Sequence, residues 1–210
     1  VGSYCRLETV DNDTLVADDG SLVTMLRLEG SLKHVGVEEY NTIVNGLTEK
    51  LQSALSKPGH SIQVVFEYDP EASKTRIEEM LLPSRHTAQN LGLHVGPLLE
   101  NWGTALQKYC STENCWMALW TRPEVLPESL RKTALKERDT AMVKVPTIPG
   151  CQQVSRAVAA LHDAHGGFLS GVLDAFKQVD LLAYPLSAEE ALRDIRLCID
   201  QEFTHREWKP

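Results

Sequence analysis

Apolar residues recur at two different periods along this chain, and each change of period marks a new element. Near the start, Thr14–Ala17 and Ser21–Glu29 are strand-like runs around Asp18-Asp19-Gly20-Ser21. That tetrapeptide supplies the residues a tight turn prefers, with the glycine tolerating positive φ, so the two runs predict a hairpin. In the second run Leu22, Met25, Leu26 and Leu28 are apolar. The alternation is imperfect, which leaves open whether one face or both are covered. From Val37 the period becomes three and four: Val37, Tyr40, Val44, Leu47, Leu51 and Leu55 share one face of a helix over 37–56. Glu38 and Glu39 occupy its first turn, where the helix dipole favours carboxylates, and Lys57-Pro58-Gly59 ends it. Ser61–Tyr68, β-branched and aromatic, predicts a strand.

A helix follows from Pro70 to about Leu82 and is expected to end near Pro83. From Ala88 a heptad-like stripe runs through Leu91, Val95, Leu98, Trp102, Ala105 and Tyr109, with a kink or break expected at Pro97. Cys115–Trp120, bounded by Asn114 and Thr121-Arg122-Pro123, predicts a buried strand. Pro127 to about Val143 is helical and highly charged, and Pro146-Thr-Ile-Pro-Gly150 is the best internal break. A second stripe joins Val154, Val158, Leu161, His165, Phe168, Val172, Ala175 and Val179. Its spacing survives Gly166-Gly167, which favours one long helix even at about 1 kcal/mol per glycine relative to Ala. Leu182–Leu186 is a short strand, and Ser187-Ala-Glu-Glu190 is a capping box. It opens a last helix with Ala191, Leu192, Ile195, Ile199 and Phe203 on its apolar face. Together these elements predict an α+β fold over residues 1–210: a small mixed or antiparallel sheet with an N-terminal hairpin, packed against several long helices.

Length and composition narrow the classes. A chain of 210 residues can bury a sizeable core. Its net charge of −8 argues against non-specific nucleic-acid binding, which needs a basic surface, and against docking on anionic lipid. Cys5, Cys110, Cys115, Cys151 and Cys198 are odd in number and scattered, which fits a reducing, cytosolic setting. No apolar run approaches the roughly 18–20 residues of a membrane helix, and no signal peptide is visible. The chain begins at Val1 without a Met and ends on Lys209-Pro210, which reads as a piece of a longer protein.

Candidate chemistry is sparse. There is no G-x-x-x-x-G-K-[ST] and no G-x-G-x-x-G; Gly166-Gly-Phe-Leu-Ser-Gly171 lacks the Lys and hydroxyl residue that phosphates and Mg²⁺ require. His162-Asp163-Ala-His165 invites a metal, and a small stand-alone enzyme built on those three residues is one alternative. Two ligands three apart on a helix fall short of the three or four a site needs, so one packed and one solvated histidine is the simpler expectation. Cys110 and Cys115 are not followed by a second pair at zinc-finger spacing, and Cys115 is most simply a core thiol. Lys136, Arg138 and Lys144 alternate with Glu137 and Asp139 as on a solvated helix face. Trp116 and Trp120 fit a core; Trp208 could be packed or exposed. The two stripes first suggest core packing, but Leu98, Trp102, Tyr109, Phe168 and Val172 are also the candidate residues for an interface with another subunit.

An ordered series of segments resembles a known family. Leu15-Val-Ala-Asp-Asp-Gly-Ser-Leu-Val-Thr-Met-Leu-Arg-Leu-Glu-Gly30 is similar to the opening hairpin of the type IV secretion and conjugative-transfer ATPases of the VirB/TraC class. The helix from Val37, the strand Ile62–Tyr68, Cys115-Trp-Met-Ala-Leu-Trp-Thr-Arg-Pro123 and Leu181-Leu-Ala-Tyr-Pro-Leu-Ser-Ala-Glu-Glu-Ala-Leu192 follow in the family's order. Within that class the Dot/Icm (type IVB) branch and its IncI-type conjugation relatives look most similar. Pro97 and Gly166-Gly167 depart from the pattern, inside long helices. The resemblance covers nearly the whole chain and implies a non-catalytic N-terminal domain, cytoplasmic and peripheral to the bacterial inner membrane. Such a domain docks the motor on inner-membrane subunits of the secretion complex and supports self-association as a dimer or hexamer, alongside other secretion ATPases. It implies no cofactor in this piece; ATP and Mg²⁺ would belong to a downstream RecA-like domain. No catalytic residue carries over. The alternative is a stand-alone adaptor or chaperone-like protein that binds secretion substrates.

Overall fold

The structure is a computed structural model that describes residues 5–31, 33–69, 72–144 and 159–200. The fold is α+β. In chain order the elements are β1 (Leu7–Asp11), β2 (Thr14–Ala17), β3 (Leu22–Ser31), α1 (Val37–Ala54), β4 (His60–Asp69), α2 (Ala72–Asn90), α3 (Gly96–Tyr109), β5 (Thr112–Thr121), a 3-10 turn (Pro123–Val125), α4 (Glu128–Lys144), α5 (Ala159–Gln178), β6 (Leu181–Pro185) and α6 (Ala188–Ile199). The strands form one sheet in the order β1-β2-β3-β5-β4, with β6 also paired to β3. β2 lies beside the start of β3 and β6 beside its second half, both antiparallel. The chain divides into two compact units, 1–64 with 116–210 and 65–115, and passes between them along β4 and β5.

In the first unit the predicted hairpin forms as β2 and β3. Gly20 takes φ +83°, Ser21 donates its N–H to Asp19 Oδ1 at 2.9 Å, and Ala17 pairs with Ser21. Leu15, Val16, Ala17 and Leu22 to Leu26 are consecutively buried, so both faces of this hairpin are covered. β1, which the apolar pattern does not single out, pairs with β2 across a turn in which Asn12 adopts φ +54°. Alternation along the strands sorts the two faces. Leu26 and Leu28 of β3 and Met117 and Leu119 of β5 meet Phe168, Val172 and Phe176 of α5 and Leu47 and Leu51 of α1. On the other face Arg27 and the Trp116 indole both reach Asp194 of α6, at 2.7 and 2.9 Å. The turn before β4 is tied down by Gly59 (φ +95°), whose carbonyl accepts from Arg122 N–H at 2.8 Å and where any Cβ would lie 2.9 Å from the Val125 nitrogen.

α5 runs unbroken through Gly166-Gly167, as its spacing predicts; Val154 and Val158 of that stripe lie outside the described residues. The α6 capping box forms, with Ser187 N–H on Glu190 Oε2 at 2.9 Å and Glu190 N–H on Ser187 Oγ at 3.3 Å. The hydrogen bonds from Ser187 hold the Glu190 carboxyl below its usual pKa. The buried face of α6 is Ala188, Ala191 and Asp194, rotated from the expected Leu192, Ile195 and Ile199, because Asp194 turns inward to its two donors. Phe203, Trp208, Cys151 and the break at 146–150 lie outside the described residues. α1 departs from expectation as well. None of its residues is fully buried; Leu47, Leu51 and Ala54 pack on the core while Val37, Tyr40 and Val44 of the same stripe stay exposed.

In the second unit α2 and α3 form a helical pair whose core is Ile77, Leu81 and Leu99, with Val95 and Leu106 against it. α2 does not end at Pro83 but continues to Asn90. Ile77, Leu81 and Ala88, spaced four and seven, are buried on one face spanning the proline. Their packing outweighs the lost hydrogen bond, and Pro83 itself is exposed. The heptad-like stripe that starts at Ala88 does break near Pro97, which sits in the first turn of the new helix α3, where proline is tolerated.

Candidate functional site

α3 is apolar on more than one face. Leu99 and Gly103 are its buried residues. The stripe Leu98, Trp102 and Tyr109 points elsewhere and is 62%, 60% and 78% exposed. Leu91 and Leu93 in the preceding turn and Met80 of α2 are exposed too. Single exposed apolar residues are ordinary; here several fall on α2, α3 and the turn between them, a Trp and a Tyr among them. Of the five interface candidates the structure therefore leaves three on the surface. Phe168 and Val172 must be withdrawn: at 5% and 0% exposure they lie in the main core of the first unit. The stripe on α5 that they belong to is consumed by the sheet beneath it.

The first unit also contains a buried polar chain that no local motif announces. His165, on the apolar face of α5, is 4% exposed. Its Nε2 lies 2.8 Å from Thr24 Oγ1 on β3 and its Nδ1 lies 2.9 Å from Thr121 Oγ1 on β5. Thr121 is also 3.2 Å from His60 Nδ1, and the His60 ring stacks on Phe168 at 4.3 Å. A neutral imidazole has one donor and one acceptor, and each threonine hydroxyl can take either role, so the chain is satisfied throughout. Burial first, then the nearby His162 and His60, push the His165 pKa down to about 4. Burial, then Lys57, lowers that of His60. His165 is therefore neutral at physiological pH, a packing histidine with two hydroxyl partners.

The metal constellation does not assemble. His162 turns toward Asp11, 3.6 Å away, while His165 faces the threonines and Asp163 lines an open groove of about 760 Å³ beside α5. Among the described residues no three His, Cys, Asp or Glu side chains converge as metal ligands. Cys110 is exposed and Cys115 half-buried, both as free thiols, with burial raising the Cys115 pKa. Among the described residues no helix is long and apolar enough to cross a membrane. No protein-family model matches the chain, and no curated protein matches it.

Proposed function

We propose that this chain is the docking and oligomerisation domain of a type IV secretion-system ATPase, which attaches a cytoplasmic motor to the inner-membrane complex. The observation that carries the proposal is the exposed stripe Leu98, Trp102 and Tyr109 on α3, a surface suited to holding another subunit rather than a small substrate. The ordered resemblance of the hairpin, the β5 segment and the β6–α6 segment to the VirB/TraC class supports it. The histidines that might have served catalysis are spent on threonine hydroxyls or turned toward Asp11. In this reading the piece hydrolyses nothing itself; ATP and Mg²⁺ are handled by a RecA-like domain further along the protein.

The test is the reading frame that follows Pro210. A P-loop within the next few hundred codons, in frame, is the expected result. A stop codon at that point would sink the motor assignment and leave the stand-alone adaptor for secretion substrates as the better account.

A further inference from the structure

A groove of about 510 Å³ runs between the C-terminal half of α5 and β6, and β6 lines it from Leu181 to Pro185 without a gap. Successive residues of a strand point to opposite faces, so a groove lined by five in a row follows the strand's edge rather than either face. Among the described residues β6 pairs with β3 alone. The phase of that ladder says which main-chain groups are left over. Leu186 donates its N–H to Met25 C=O at 2.8 Å, and Tyr184 stands opposite Arg27. Residues 184 and 186 therefore turn their N–H and C=O toward β3, and the alternation turns those of Leu181 and Ala183 outward, into the groove. Pro185 offers only a carbonyl there, which confines pairing to the first part of the strand.

We infer that this groove accepts an extended segment of a partner polypeptide, added as a further strand on β6. The outward N–H and C=O of Leu181 and Ala183 select main chain in the β conformation. Leu173 on α5 supplies an apolar wall for alternate side chains of the incomer. The charges at the rim set its polarity. Asp180 is paired with Lys33 at 2.6 Å, whereas Lys177 is exposed and unpaired among the described residues; Asp174 lies one turn before it on α5. An incoming segment thus matches best when it carries a carboxylate beside Lys177 between apolar residues. The site lies wholly within the first unit and does not depend on the motor assignment.

The test selects random linear nonapeptides displayed on phage against the full chain, then titrates fluorescein-labelled synthetic copies of the enriched peptides. The expected peptides alternate apolar residues around an Asp or Glu, and Lys177→Glu, a surface change, weakens them by about tenfold. Amide exchange followed by NMR supplies an independent reading. In the free protein Leu181 and Ala183 should exchange faster than Leu182 and Tyr184, and saturation with peptide should slow both outward amides. Three results would overturn the inference: no enrichment over an unrelated folded control, binding that leaves the Leu181 and Ala183 amides unchanged, or equal affinity for Lys177→Glu.

Discussion

His165 shows how much one side chain can tie together and how little of that is local. Its partners Thr24 and Thr121 are 141 and 44 residues away in sequence, so the stripe spacing could place the histidine in the core but could not find what satisfies it. A histidine whose folded pKa is lowered to about 4 binds its proton more readily in the unfolded chain. Stability is therefore full above the unfolded pKa near 6.5 and falls as the pH drops from there to about 4, by up to about 3 kcal/mol. Thermal melts between pH 7 and 4 should show this slope. His165→Leu should flatten it while lowering the melting temperature at pH 7, because the buried Thr24 hydroxyl loses its partner and Thr121 keeps only His60. An unchanged slope would mean that other groups carry the acid sensitivity. Asp194 is the corresponding residue on the opposite face of the sheet. Asp194→Ala leaves the buried Trp116 indole N–H and Arg27 without their acceptor, at a cost of about 2–4 kcal/mol in urea unfolding. Asp194→Asn, which keeps a carbonyl oxygen, should cost less.

Among the elements, spacing located the helices well and their faces less well. α3 is apolar on adjacent faces, and the heptad count from Ala88 follows the exposed one; the buried line through Leu99 and Gly103 is displaced by a single residue. Periodicity cannot choose between two apolar faces when the choice rests on where α2 lies. β1 escaped notice because its five residues alternate between half-buried and exposed and carry two acids, Glu8 and Asp11. At Pro83 a local rule lost to packing, because the buried line Ile77, Leu81, Ala88 holds α2 together on both sides of the ring. Pro83→Ala should accordingly stabilise α2 by about 1–3 kcal/mol, read as slower amide exchange around position 83. Faster exchange would mean that the proline's fixed φ is itself a support. Local rules succeeded where both partners lie close in sequence, as in the Ser187 and Glu190 capping box; Ser187→Ala should cost about 1 kcal/mol.

For the molecule as a whole, the α+β class follows from the order of strand-like and helix-like runs, which needs no long-range information. Surfaces are harder to read. The aromatic residues of α3 and the valines and leucines of α5 look alike in sequence, yet the sheet covers Phe168 and Val172 and leaves Trp102 bare. The central claim is that this bare stripe holds the chain in an assembly. Sedimentation equilibrium over a wide concentration range tests it most directly, on the unaltered chain and on Leu98→Asp and Trp102→Asp. Both substitutions fall at exposed positions, so the melting temperature should barely move. The account predicts reversible self-association by the unaltered chain and a loss of at least about tenfold in association constant for each variant. An unaltered chain that stays monomeric at the highest concentration, or variants that associate as strongly as it does, would contradict the account.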